Sequence, residues 1–150
     1  MRLLLLRHGE AGYDAPSDEQ RSLTDHGWLR VQQMLKQQSG TLAGLERIVH
    51  SPYLRTQQTA ALVLAQQPAN SIASPLLTPE ASPETVLDWL AEQSDEVLML
   101  VTHQPLIGLL VSRLCEGDYS RPEPMLPGAL AVIDLTFPAA GLGRLQSLMR

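Results

Sequence analysis

The opening stretch MRLLLLRHGEAG constrains the fold more than any other part of the chain. Leu3 to Leu6 form an unbroken apolar run of strand length, which stops at a cation, an imidazole and a residue without a side chain: Arg7, His8 and Gly9. An apolar run that does not alternate implies a strand covered on both faces, the habit of parallel sheets with helices above and below. In such sheets ligands meet the carboxyl ends of the strands. The trio suits an anion. Arg7 can fork onto phosphate or carboxylate oxygens, His8 can act as nucleophile, base or ligand, and Gly9 lets the backbone turn and approach a ligand closely. Taken alone, the three residues equally fit an ordinary strand end with an exposed Arg and His.

Two more segments repeat the pattern. Arg47 to His50 reads as a short strand leading into SPYLRTQQTAALVLAQQ, where Ser51 fits an N-cap and Pro52 the first helical position. Arg55 then falls in the opening turn, where free backbone N–H groups already favour an anion, so a cation there points to a ligand with negative charge to spare. Val97 to Val101 reads as a central strand followed at once by THQP and an apolar helix, Leu106 to Cys115, closed by Gly117. His103 therefore repeats the placement of His8, and the two share one crevice if their strands are neighbours.

The remaining elements are read from periodicity and caps. Glu10 to Leu23 is a long polar loop over the end of the sheet. Thr24 or Asp25 caps a helix with Trp28, Val31, Met34 and Leu35 at helical spacing, ended by Gly40, with His26 exposed in its first turn. Ser71 to Ser74 fits a short edge strand, and Ser82-Pro83 starts a helix with Val86, Leu87, Leu90 and Ala91 on one face. Ala129 to Leu135 is a further strand, and Gly143 to Met149 pairs with it antiparallel. The expected fold class is α/β, a three-layer sandwich with a mostly parallel central sheet and helices on both faces, in one domain spanning residues 1–150.

Composition excludes several function classes. A net charge of −5 without any basic run argues against a nucleic-acid surface. No stretch reaches transmembrane length, and the leucine run is too short for a signal-peptide core, so no membrane role and a cytoplasmic location are expected. Cys115 is the only cysteine, which rules out an internal disulfide and CxxC metal or redox motifs; in LLVSRLC it reads as a buried structural thiol. A metal site built from His8, His50 and His103 is disfavoured because the two arginines among them would repel the cation. His50 is read as structural.

RHG at 7–9, SPYLRTQQT at 51–59 and VTHQP at 101–105, in this order, resemble the histidine phosphatase (phosphoglycerate-mutase-like) superfamily. The short length, LTDHG after Arg21 and LTP before the third helix make the chain similar to its SixA-type phosphohistidine phosphatases. The resemblance runs from Arg2 to Leu135. It implies that His8 becomes phosphorylated, with Arg7, Arg55 and His103 around the phosphoryl group, and that no cofactor or metal takes part. Two guanidinium forks and one imidazolium can hold three phosphoryl oxygens. Arg7, Gly9, Arg21 and Arg55 are the expected substrate contacts. Arg21 is either an outer phosphate contact or, by preference, a support that ties down loop carbonyls.

In the wider superfamily a glutamate after the second helix protonates the leaving alkoxide. Glu80 is the one candidate nearby, and it equally reads as a solvated loop carboxylate. A leaving imidazole, with a pKa near about 6.5, departs with far less help than an alkoxide. The expected function is therefore phosphohistidine hydrolysis, acting on a histidine-containing phosphotransfer domain, by a protein taken as a monomer. The alternatives are a small-molecule phosphomonoesterase and a non-catalytic phospho-ligand binding module. The intact His8, Arg7, Arg55 and His103 favour an enzyme.

Overall fold

The computed structural model describes residues 1–149. Six strands form one sheet: β1 (Arg2–Arg7), β2 (Arg47–His50), β3 (Asn70–Ala73), β4 (Val97–Thr102), β5 (Leu130–Leu135) and β6 (Gly143–Met149). Their order across the sheet is β3-β2-β4-β1-β5-β6. β1, β2, β3 and β4 run parallel, whereas β5 pairs antiparallel with both β1 and β6. The four helices are α1 (Asp25–Gln37), α2 (Leu54–Gln66), α3 (Pro83–Leu90) and α4 (Leu106–Glu116).

The leucine run explains the layering. Side chains alternate across a strand, so Leu3 and Leu5 enter a core shared with α3 and α4, while Leu4 and Leu6 enter a second core with α1 and α2. All four leucines are fully buried, and truncating any one to Ala is expected to cost about 2–5 kcal/mol. β1 must be apolar on both faces because helices cover both. This is the three-layer α/β sandwich expected from the sequence.

Local signals set the helix ends. The Thr24 hydroxyl accepts from Gly27 N–H at 2.9 Å and caps α1. Gly117, at φ 87°, ends α4 in the left-handed conformation that a side chain disfavours. Two expectations need correction. Trp28 lies on the solvent side of α1, which buries Gly27, Val31 and Leu35 instead, and α1 stops at Gln37 with Gln38 as its C-cap, before Gly40. The second helix begins at Leu54 with Tyr53 as N-cap, not at Ser51-Pro52. The reason is that Ser51 N–H still pairs with Val101 O at 3.1 Å, so Ser51 continues the sheet and the chain turns only after it. Cys115 is half-buried against the α3/α4 core rather than fully enclosed.

Candidate active site

β1 and β4 are adjacent and parallel, with Arg7 opposite Thr102. Their carboxyl ends are thus level, and His8 and His103, each the next residue, meet edge to face with ring centroids 5.1 Å apart. Main-chain bonds hold His8 from two sides: its N–H donates to Thr102 O at 3.1 Å and its carbonyl accepts from Gly128 N–H at 2.9 Å. Its Nδ1 lies 2.7 Å from Gly9 O. A carbonyl only accepts, so Nδ1 carries the hydrogen and Nε2 is left as a bare lone pair. Burial, reinforced by the nearby arginines, lowers the His8 pKa to about 4, which keeps this lone pair available at neutral pH.

Arg55, the second residue of α2, is almost wholly buried. Its Nε points at His8 Nε2 at 3.3 Å, and its Nη1 and Nη2 are held by the Asp18 carbonyl at 2.6 Å and carboxylate at 3.2 Å. Asp18 sits in a single 3₁₀ turn of the long loop and also takes Arg21 Nη1 at 3.0 Å. One carboxylate therefore links two guanidinium groups, and hydrogen bonds from Arg21 and Arg55 pull its pKa down. Arg21 donates further to the carbonyls of Gly12 at 2.8 Å and Ala11 at 3.3 Å and lies 4.0 Å from the Tyr13 ring centre. Its donors are thus largely committed to the loop. Arg7 gives Nη1 to Met125 O at 2.8 Å.

Two buried nitrogens near the histidines have no partner among the described residues: Arg7 Nε and His103 Nδ1. Interiors rarely leave such groups unmet, and a bound oxyanion could satisfy Arg7 Nε, and His103 Nδ1 where that nitrogen carries the ring hydrogen. Arg7, His8, Tyr13 and Arg21 line an open pocket of about 440 Å³. Burial, with His8 and Arg55 beside it, lowers the His103 pKa to about 3, which favours the neutral ring in the ligand-free site.

The remaining candidates divide. Gly9 N–H is taken by Thr59 Oγ1 at 3.2 Å, and a Cβ at Gly9 would lie 2.8 Å from Val31 Cγ2, so helix packing by itself requires a glycine here. Gly27 serves the same join, since a Cβ there would lie 2.2 Å from Glu10 O. Glu80 is exposed; like Arg55 and His103 it is not part of the open pocket's lining, and its charge acts on Tyr53, whose ring packs against His103 at 5.0 Å. His50 places Nδ1 2.8 Å from Ser51 O, and His26 is exposed, 3.5 Å from Glu10. Among the described residues no three His, Cys, Asp or Glu side chains gather as metal ligands. Sequence reasoning missed Asp18, Ser51 as a site residue, Tyr53 and Thr59. The one hint was the Asp18–Arg21 spacing in the long polar loop over the end of the sheet.

Comparison with known proteins settles the family. Residues 3–78 match the model of the histidine phosphatase superfamily, branch 1. The chain belongs to this superfamily. A phosphohistidine phosphatase SixA from Escherichia coli K12 is 31% identical over 148 residues, covering 95% of this chain and 89% of that protein. A SixA homolog from Haemophilus influenzae is 35% identical over 138 residues, 83% of this chain and 81% of its own. A solved structure of the protein histidine phosphatase SixA complexed with tungstate superposes with a TM-score of 0.88 at 30% identity, covering 99% of this chain and 96% of that one. Membership gives the ordered RHG, SPYLR and THQP motifs one explanation: they are the strand ends of a histidine phosphatase.

Proposed function

We propose that this histidine phosphatase hydrolyses phosphohistidine, with His8 Nε2 as the atom that accepts the phosphoryl group. The observation that carries the reading is the Gly9 carbonyl at His8 Nδ1, which leaves Nε2 unprotonated and facing Arg55 Nε. In the first step the Nε2 lone pair forms a bond to phosphorus while the substrate's N–P bond breaks, and a substrate ring protonated at its second nitrogen departs as neutral imidazole. In the second step water attacks phosphorus, His8 regains its lone pair and phosphate leaves. Arg7, Arg55 and the His103 N–H stabilise charge on the phosphoryl oxygens in both steps.

Glu80 guides the choice of substrate class. An alkoxide leaving group needs a proton in the transition state, and Glu80, the one carboxylate considered for this role, is exposed and held in place by no hydrogen bond or ion pair among the described residues. A phosphoramidate needs no such acid, so phosphohistidine fits better than a small phosphomonoester. The names of both curated relatives agree with this, and the related structure with tungstate holds a tetrahedral oxyanion. The open pocket suits a phosphohistidine presented on a protein, and a histidine phosphotransfer domain is the partner proposed. Trapping an acid-labile phospho-enzyme from a phosphohistidine protein, and losing it in His8→Ala, tests the reading. A parent that releases phosphate without such an intermediate refutes it.

A further inference from the structure

We propose that Ser51 is a positioning residue that fixes the tautomer of His103, so that the ring offers an N–H at Nδ1 to the phosphoryl group on His8. The inference rests on the reading of His8 given above. Ser51 is fully buried where β2 passes into the turn before α2. Its Oγ has two neighbours, Tyr53 N–H at 3.2 Å and His103 Nε2 at 2.8 Å. A backbone N–H can only donate, so Oγ accepts from Tyr53. The direction of the bond to His103 then follows from what each choice leaves unmet.

If Nε2 donated, the Ser51 hydroxyl hydrogen would have no acceptor among the described residues, and Nδ1 would be a bare lone pair in the interior without a partner. If Ser51 donates, its hydroxyl is satisfied and a single unmet group remains, the Nδ1–H. Unmet polar groups in the interior are costly, so the second arrangement is the stable one. A neutral imidazole carries one ring hydrogen, and accepting at Nε2 places it on Nδ1. The lowered pKa of His103 agrees with a neutral ring.

The two histidines thus become complementary. A carbonyl at His8 Nδ1 leaves a lone pair at Nε2 to attack, and a hydroxyl at His103 Nε2 leaves a hydrogen at Nδ1 to donate. The ring centroids are 5.1 Å apart, close enough for an oxygen of a phosphoryl group carried on His8 to become the acceptor that Nδ1–H lacks.

Imidazole ¹⁵N spectra of the full chain, with His103 assigned by its loss in His103→Asn, provide the test. The expected result is a protonated Nδ1 and a pyridine-type Nε2 in the parent, a mixture of tautomers in Ser51→Ala, and the parent pattern in Ser51→Thr. With a phosphohistidine protein as substrate, Ser51→Ala should lower kcat roughly 10-fold with little change in KM, because only the fraction in the competent tautomer turns over, and Ser51→Thr should restore it. A parent ring with its hydrogen on Nε2 overturns the proposal, as does a Ser51→Ala tautomer identical to the parent's. If Ser51→Ala does not fold, the parent spectrum alone decides. A parent with Nδ1–H that releases no phosphate from phosphohistidine would support the tautomer assignment and refute the proposed function.

Discussion

Arg55 Nε lies 3.3 Å from His8 Nε2, so a guanidinium N–H faces the one ring nitrogen that carries no hydrogen. The same guanidinium is gripped at its far end by Asp18, which leaves the edge nearest His8 to meet an incoming phosphoryl oxygen. Arg55→Lys keeps the charge but loses the fork. Its kcat should fall on the order of 10²-fold or more, as when a preorganised donor is removed, while circular dichroism remains that of the parent. Parent-like turnover in Arg55→Lys would show that charge alone suffices.

Acid should destabilise the fold through the two site histidines. Folded, His8 is lowered to about 4 and His103 to about 3; the ordinary value is 6.5. Between these limits the unfolded chain binds protons that the folded chain does not, so this contribution is complete above about pH 6.5, declines as pH falls, and stops declining only when the folded rings protonate. Each histidine contributes a slope of at most about 1.4 kcal/mol per pH unit in that window. Urea denaturation at a series of pH values should give a shallower acid slope for His8→Asn than for the parent. Parallel curves would contradict the lowered pKa.

Asp18 places negative charge beside the proposed oxyanion pocket. Asp18→Asn should therefore bind inorganic phosphate more tightly, by roughly 3- to 10-fold at low salt, with the gain shrinking as salt screens this exposed carboxylate. Calorimetric titration of both proteins measures it. Weaker phosphate binding in Asp18→Asn would mean that the bridge between Arg21 and Arg55 matters more as an anchor than as a competitor.

Glu80→Gln separates the substrate classes. With phosphohistidine the variant should match the parent, because the leaving imidazole needs little help. A loss of roughly 10²- to 10⁴-fold with phosphohistidine, the scale of a general acid, would overturn the substrate assignment. A loss confined to alkyl phosphates would show that only a side activity uses this carboxylate.

Strands β1, β2 and β4 and the Gly117 cap were legible in the sequence because each is encoded locally, by an apolar run or by a glycine after a helical stripe. The meeting of His8 with His103 followed from the same pattern once two such strands were taken as neighbours. Asp18, Ser51 and Thr59 were not legible in the same way. Each acquires its role from a partner 37 to 52 residues away in sequence, and a polar residue in a loop carries no periodicity that would reveal the pairing. Ser51 misled for a definite reason: Ser-Pro is a strong helix-start signal, but its hydroxyl is held by Tyr53 N–H and His103. At Gly9 the sequence suggested ligand access, and the fold adds a second demand that no local pattern shows, room for Val31.

Replacing His8 removes the chemistry while the main-chain bonds to Thr102 and Gly128 that hold its strand end remain, so a descendant altered there should keep its shape and its cationic pocket. A methyl group at position 27 would instead press on the Glu10 carbonyl, two residues beyond the nucleophile, and would disturb the loop and the first turn of α1 together. Mutational drift from this architecture is therefore lopsided: the path to a silent phosphate binder is open, and the path through Gly27 is closed. A lineage built on this plan should shed its nucleophile before it sheds that glycine.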